Sequence, residues 1–204
     1  MLSKSEREQI IALINREVVP AIGCTEPIAV ALCVAKATET LGCRPEKIQA
    51  LLSANILKNA MGVGIPGTGM IGLPIAIALG ALIGKSEYQL EVLKDSTPEA
   101  VEEGKKLIDS QAINIALKYG IEEKLYIEII CEAQGKKATA IISGGHTNFV
   151  YVARDGEVLV NKQTSATDEA AADDVELTLR KVYDFATTSP IEELKFILET
   201  RNLN

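Results

Sequence analysis

LYIEIICEA (125–133), KATAIIS (137–143), NFVYVAR (148–154) and EVLVNK (157–162) follow one another with short breaks between them. Each is rich in β-branched and aromatic residues, the side chains that fit a pleated, half-buried surface. The last break holds Asp155-Gly156, a pair suited to a two-residue hairpin turn that needs positive φ at both positions. The block reads as an antiparallel meander.

On either side of it the apolar period becomes helical. Ile10, Ile11, Leu13, Ile14 and Val18 place a first amphipathic helix between Ser5 and about Val18, ended by Pro20. Thr25 reads as the cap of a second helix, with Glu26 and Pro27 in its first turn. IAVALCVAKATETL then runs apolar on nearly every side to Gly42, so this helix is expected to be mostly buried. KIQALLS (47–53) reads as a short strand entering a loop, ANILKNAMGVGIPGTG, before an apolar helix at about 70–83. Thr97-Pro98-Glu99 starts a helical pair over roughly 97–109 and 111–119. After the meander, helix resumes from Asp168 through VELTLRKVYDFA, and Ser189-Pro190-Ile191-Glu192 caps a last one to about Thr200. The expected fold is a single α+β domain over residues 1–204: a small, largely antiparallel sheet packed with about six helices on one side.

The bulk numbers fit a globular chain. Of 204 residues, 47% are hydrophobic, and 28 acidic against 21 basic side chains give a net charge of -7. Without a basic run, nucleic acid and an anionic membrane are disfavoured partners, and a small molecule or another protein fits better. Residues 59–84 carry no charge and are long enough to span a bilayer, but Pro66, Pro74 and five glycines break the first half. They read as a buried loop and helix, with no membrane span. MLSKSEREQI has no apolar signal core, so a cytoplasmic protein with reduced thiols is expected. Cys24, Cys33, Cys43 and Cys131 form no CxxC pattern, so no metal site is expected on this chain alone.

Three stretches could carry chemistry. In GCTEP (23–27), a thiol just before a helix meets unpaired N–H groups and the positive end of the macrodipole, which favour a thiolate base or nucleophile. The alternative is a packed small side chain. SGGHTN (143–148) holds the only histidine, His146, at a glycine-rich turn, where it is either a site residue or a surface residue bonded to a carbonyl. Ser143 lacks the GxSxG elbow of a hydrolase nucleophile. NILKNAMGVGIPGTGMIG (55–72) is either an anion cradle helped by Lys58 or a tightly packed loop. It is neither a Walker loop nor a dinucleotide fingerprint.

Together GCTEP, the block from Asn55 to Leu82, EVLKDSTPE (91–99) and ISGGHTNFVYV (142–152) resemble the amino-terminal half of the L-cysteine desulfidase family, related to the alpha chain of iron-sulfur L-serine dehydratases. The resemblance covers essentially the whole chain. It implies an enzyme that releases ammonia and sulfide or water from a small amino-acid substrate, L-cysteine or L-serine, leaving pyruvate. It also implies a [4Fe-4S] cluster acting as a Lewis acid. Cys24 matches the proposed base. Glu26, Asn55, Lys58, Asn59, Thr68 and Gly69, with Ser143, Gly144, Gly145, His146, Thr147 and Asn148, match candidate substrate-pocket positions.

That family's cluster cysteines lie in a carboxy-terminal half that these 204 residues do not contain. The resemblance therefore implies a cluster-bearing partner half or subunit, with this chain a fragment or a short subunit, inactive alone and open to homo-oligomer formation. Two rival readings stand beside it. One is a non-catalytic small-carboxylate binding or regulatory module built on the GIPGTG and SGGHTN loops; the other is a thiol hydrolase pairing Cys24 with His146.

Overall fold

The computed structural model describes residues 2–162 and 175–199. The chain forms two compact units, one of residues 21–164 and one built from both ends, Met1–Pro20 with Ser165–Asn204.

The end-derived unit is helical. Helix α1 (Lys4–Glu17) starts at Ser3, whose side chain accepts from the Glu6 N–H while the Glu6 carboxylate accepts from the Ser3 N–H, a reciprocal cap. Helices α6 (Leu179–Thr188) and α7 (Ile191–Leu194) complete it, followed by a 3-10 turn over Lys195–Glu199. Leu2, Ile10 and Phe185 form its small core, and the Arg7 guanidinium grips both Glu193 oxygens at 2.8 and 3.1 Å. The helical start read at Asp168 lies outside the described residues.

The larger unit is α+β, as its alternating and helical periods require. Its six-stranded sheet has the order β4-β1-β5-β6-β7-β8. The meander supplies β5 (Tyr126–Ala133), β6 (Lys136–Ser143), β7 (Phe149–Arg154) and β8 (Glu157–Asn161), all antiparallel neighbours. Asp155 and Gly156 both take positive φ at the last turn. Strand β1 (Lys47–Leu52) lies antiparallel to β5.

The edge strand departs from expectation. Residues 111–119 do not form a second helix of a pair: α5 (Pro98–Asp109) ends, Gln111 takes a positive φ, and β4 (Ile113–Leu117) runs parallel to β1. A short apolar run is ambiguous between helix and strand. Here Ile113, Ile115 and Leu117 register against Ile48, Ala50 and Leu52, and the unpaired edge of β1 decides the outcome. Ser53 makes a second departure: it caps a short helix, α3 (Ala54–Ala60), inside the stretch read as loop. The glycine-rich remainder folds into a small hairpin, β2 (Gly64–Ile65) with β3 (Met70–Ile71).

Helix α2 (Thr25–Leu41) is the centre of the core, with Ile28 through Ala35 fully buried. One side packs on β5, β6 and β7; another meets α4 (Leu73–Leu82) and a 3-10 turn at Ser86–Glu91. The contact with α4 is nearly backbone to backbone: a Cβ on Gly80 would sit 2.6 Å from the Ala31 carbonyl oxygen. Among the described residues, no helix is long and apolar enough to cross a membrane.

Gly80→Ala should therefore lower the unfolding free energy by about 1–3 kcal/mol, the usual range for overpacking a core. Gly62→Ala, where nothing lies within 4 Å, should be neutral. Urea denaturation of both variants checks this; equal midpoints would mean that α4 can shift without cost.

Candidate functional site

The turn before α2 is fixed by sterics. Gly23 has φ +80°, and a Cβ there would come within 2.9 Å of the Pro66 side chain. The glycine-rich hairpin thus lies directly against GCTEP, and only a residue without a side chain fits between them. Cys24, rather than Thr25, occupies the N-cap position; its side chain makes no capping bond, and Thr25 is the first helical residue.

The thiol turns toward Glu26 instead. Cys24 Sγ donates to Glu26 Oε2 over 2.9 Å, Thr25 Oγ1 reaches the same oxygen at 3.3 Å, and Asn59 Nδ2 on α3 donates to Glu26 Oε1 at 3.2 Å. All four residues are half-buried. Burial, and next the Glu26 carboxylate, push the Cys24 thiol above its ordinary value, against the downward pull of the Glu26 and Thr25 N–H groups. Glu26 is correspondingly held below the usual carboxylate range, first by the Cys24 hydrogen bond. Of the thiolate and the neutral side chain that the sequence leaves open, this hydrogen bond to a carboxylate favours the neutral thiol.

The other sequence-derived positions divide. Asn55 and Lys58 are exposed on α3. Thr68 closes its own hairpin, donating to the Ile65 carbonyl at 2.7 Å and accepting from the Met70 N–H at 3.0 Å; Gly69 next to it is exposed. SGGHTN forms the β6–β7 connection, in which the Ser143 N–H donates to the Asn148 carbonyl and the Asn148 side chain donates back to the Ser143 carbonyl. The Gly144 N–H reaches Leu125, the Gly145 carbonyl accepts from the Asn148 N–H, His146 is half-buried, and Thr147 is exposed.

Cys33 of α2 lies against the Ile127 and Ala140 carbonyls, and Thr38 against Cys131, so α2 starts at the sheet end where β6 reaches Ser143. Ser143 nevertheless pairs with Tyr126 and alternates with buried Ile127 and Ile142, which puts its side chain on the sheet face opposite α2. The structure joins GCTEP to Asn59 and Pro66 but does not bring the Ser143 side chain to the thiol.

Sequence reasoning did not reach the residues around Ser143. A cleft of about 230 Å³ opens there, lined by Glu123, Tyr126, Ile141, Tyr151, Asn161 and Lys162 as well as Ser143 and Val150. The available signal was the alternation of Tyr126, Ile141 and Tyr151 with wholly apolar neighbours.

Cys33 and Cys131 are not placed to hold an iron-sulfur cluster. Cys33 and Cys131 are core residues whose thiols burial drives upward, Cys131 to about 12. Among the described residues, no three His, Cys, Asp or Glu side chains gather as a metal site.

The chain is similar over its full length to UPF0597 proteins. It is 80% identical to one from Phocaeicola vulgatus across 100% of this chain and 47% of that protein. It is 76% identical to UPF0597 protein BF3560 of Bacteroides fragilis, again over 100% of this chain and 47% of the relative. One from Aeromonas hydrophila is 41% identical, covering 98% of this chain and 46% of that protein. The chain thus spans about half the length of the curated relatives it matches. No family model matches the chain, and no solved structure does.

The pairing of Cys24 with a carboxylate has a direct chemical consequence. Iodoacetamide should alkylate Cys24 only as pH rises above the ordinary thiol range, and Glu26→Gln should move that transition to lower pH. Mass spectrometry of the Cys24 peptide across a pH series provides the measurement. An unchanged profile in the variant would remove Glu26 as the cause.

Proposed function

We propose that this chain is the substrate-binding, base-bearing half of a lyase that takes a small amino acid, L-cysteine or L-serine, to pyruvate. The reaction class comes from the family resemblance of its motif blocks. The observation that carries the assignment of roles is the 2.9 Å hydrogen bond from Cys24 Sγ to Glu26 Oε2, with Asn59 holding the other carboxylate oxygen. Because no three His, Cys, Asp or Glu side chains gather among the described residues, we place the iron-sulfur cluster of that family on a further segment or on a partner.

The proton steps balance within this chain. Against the resting preference of the pair, in which the raised thiol holds the proton and the lowered carboxylate the charge, Cys24 transiently passes its proton to Glu26, and the thiolate removes the α-proton of the substrate. The freed electron pair forms the Cα–Cβ double bond as the Cβ–S or Cβ–O bond breaks, and Glu26 returns its proton to the departing sulfide or hydroxide. The aminoacrylate tautomerises to an imine, which water hydrolyses to pyruvate and ammonia. Cys24 ends as a thiol and Glu26 as a carboxylate, ready for the next turnover.

The test combines this chain with the rest of a full-length relative, iron and sulfide, and follows pyruvate from L-cysteine and L-serine. Cys24→Ala should reduce kcat by at least about 10²-fold, the lower range for a general base. Asn59→Ala, which strips a hydrogen bond to a charged group of about 1.5–3 kcal/mol, should reduce it about tenfold or more. A fully active Cys24→Ala protein would falsify the base assignment.

A further inference from the structure

The cleft around Ser143 lies on the sheet face turned away from α2, and the thiol site makes no use of it. Its walls come from the segment before β5 and from β5, β6, β7 and β8, all within the larger unit. Two β-bulges distort the pairing of β7 beside it, between Ile141 and Ile142 and between Val152 and Ala153. Bulges commonly re-aim side chains next to binding sites.

Ser143 is only 3% exposed, and the hydrogen bonds at this residue run through its main chain, to Asn148. Its hydroxyl remains as a donor and acceptor lining the cleft. Lys162 at the rim donates to the Asn148 side-chain oxygen at 3.2 Å, which ties it to the SGGHTN loop and leaves two of its N–H groups for a ligand. Glu123 supplies the opposite charge, Asn161 and Tyr151 further polar groups, and Ile141 and Val150 an apolar wall.

Size and charge together choose the ligand. About 230 Å³ lies below the roughly 300 Å³ at which pockets for drug-sized molecules begin. One ammonium and one carboxylate in the lining favour a molecule that carries both charges itself and is neutral overall. A simple anion would meet Lys162 but be repelled by Glu123, and a simple cation the reverse.

We propose that this cleft is a second ligand site, one that binds a small α-amino acid as its zwitterion, with the carboxylate on Lys162, the ammonium toward Glu123 and the backbone of the ligand on Ser143. The site stands independently of the reaction assigned to Cys24. It gives the SGGHTN loop a binding role that needs no contact with the thiol.

Isothermal titration of the full 204-residue chain with L-serine tests it. Saturable binding is expected, weakened at least about tenfold (roughly 1.4 kcal/mol) by Lys162→Met and by Glu123→Gln, and reduced by Ser143→Ala. Serinamide, which lacks the carboxylate, and N-acetyl-L-serine, which lacks the ammonium, should each bind at least about tenfold more weakly than L-serine. Lys162 and Glu123 are exposed, so these variants should fold, and circular dichroism checks that they do. The proposal is overturned by absence of binding at about 20 mM L-serine (a Kd weaker than the millimolar range), by full binding in the Lys162 variant, or by binding lost only in Cys24→Ala. The last result would place the amino acid at the thiol instead, and so leave the lyase reading intact.

Discussion

The near-backbone contact between Gly80 of α4 and Ala31 of α2 sets the rest of the structure. It leaves α2 no free side between Ile28 and Ala35: carbonyl oxygens of Ile127 and Ala140 face Cys33 from the sheet, and α4 closes from the other direction. A helix clamped this way cannot rotate to re-aim its first turn. Cys24 and Glu26 are therefore positioned by the core, and the neighbouring loop adapts to them through Gly23 and Pro66. Sites built on rigid elements keep their geometry better than sites built on loops alone.

The sequence made the meander and α2 legible for the same reason. In both, the local pattern and the tertiary environment demand the same residues: alternating apolar side chains for a sheet with one covered face, and continuous apolar side chains for a helix covered all round. Residues 111–119 failed because their fate depends on β1, a partner that lies far back in the chain, and no local period reports an unpaired strand edge. The short helix after Ser53 was hidden because its stabilisation is partly tertiary. The Ser53 hydroxyl both caps the helix and donates to the Lys124 carbonyl at 2.7 Å.

The candidate site was legible in part. GCTEP and the glycine-rich stretch proved to be neighbours, joined by Asn59 to Glu26 and by Gly23 to Pro66. SGGHTN reaches the same end of the sheet, yet the period-two alternation of β6 aims Ser143 at the opposite face. Motif proximity is thus a property of the backbone, whereas side-chain convergence depends on strand parity, which the glycine-rich turn obscures in the sequence.

For a related reason the sequence left the thiolate and the packed neutral side chain both open at Cys24. A helix amino terminus stabilises negative charge, but it does not specify which side chain will carry it. Glu26 in the first turn is the stronger acid and takes the charge, so the thiol is left to donate to it. The pair stores a proton on sulfur and a charge on oxygen, with Asn59 anchoring the carboxylate. Burial first, and then the Glu26 carboxylate, keep the thiol neutral at rest. Asn59 belongs to the segment that leads into the glycine-rich hairpin, so that segment and the thiol meet at a single carboxylate.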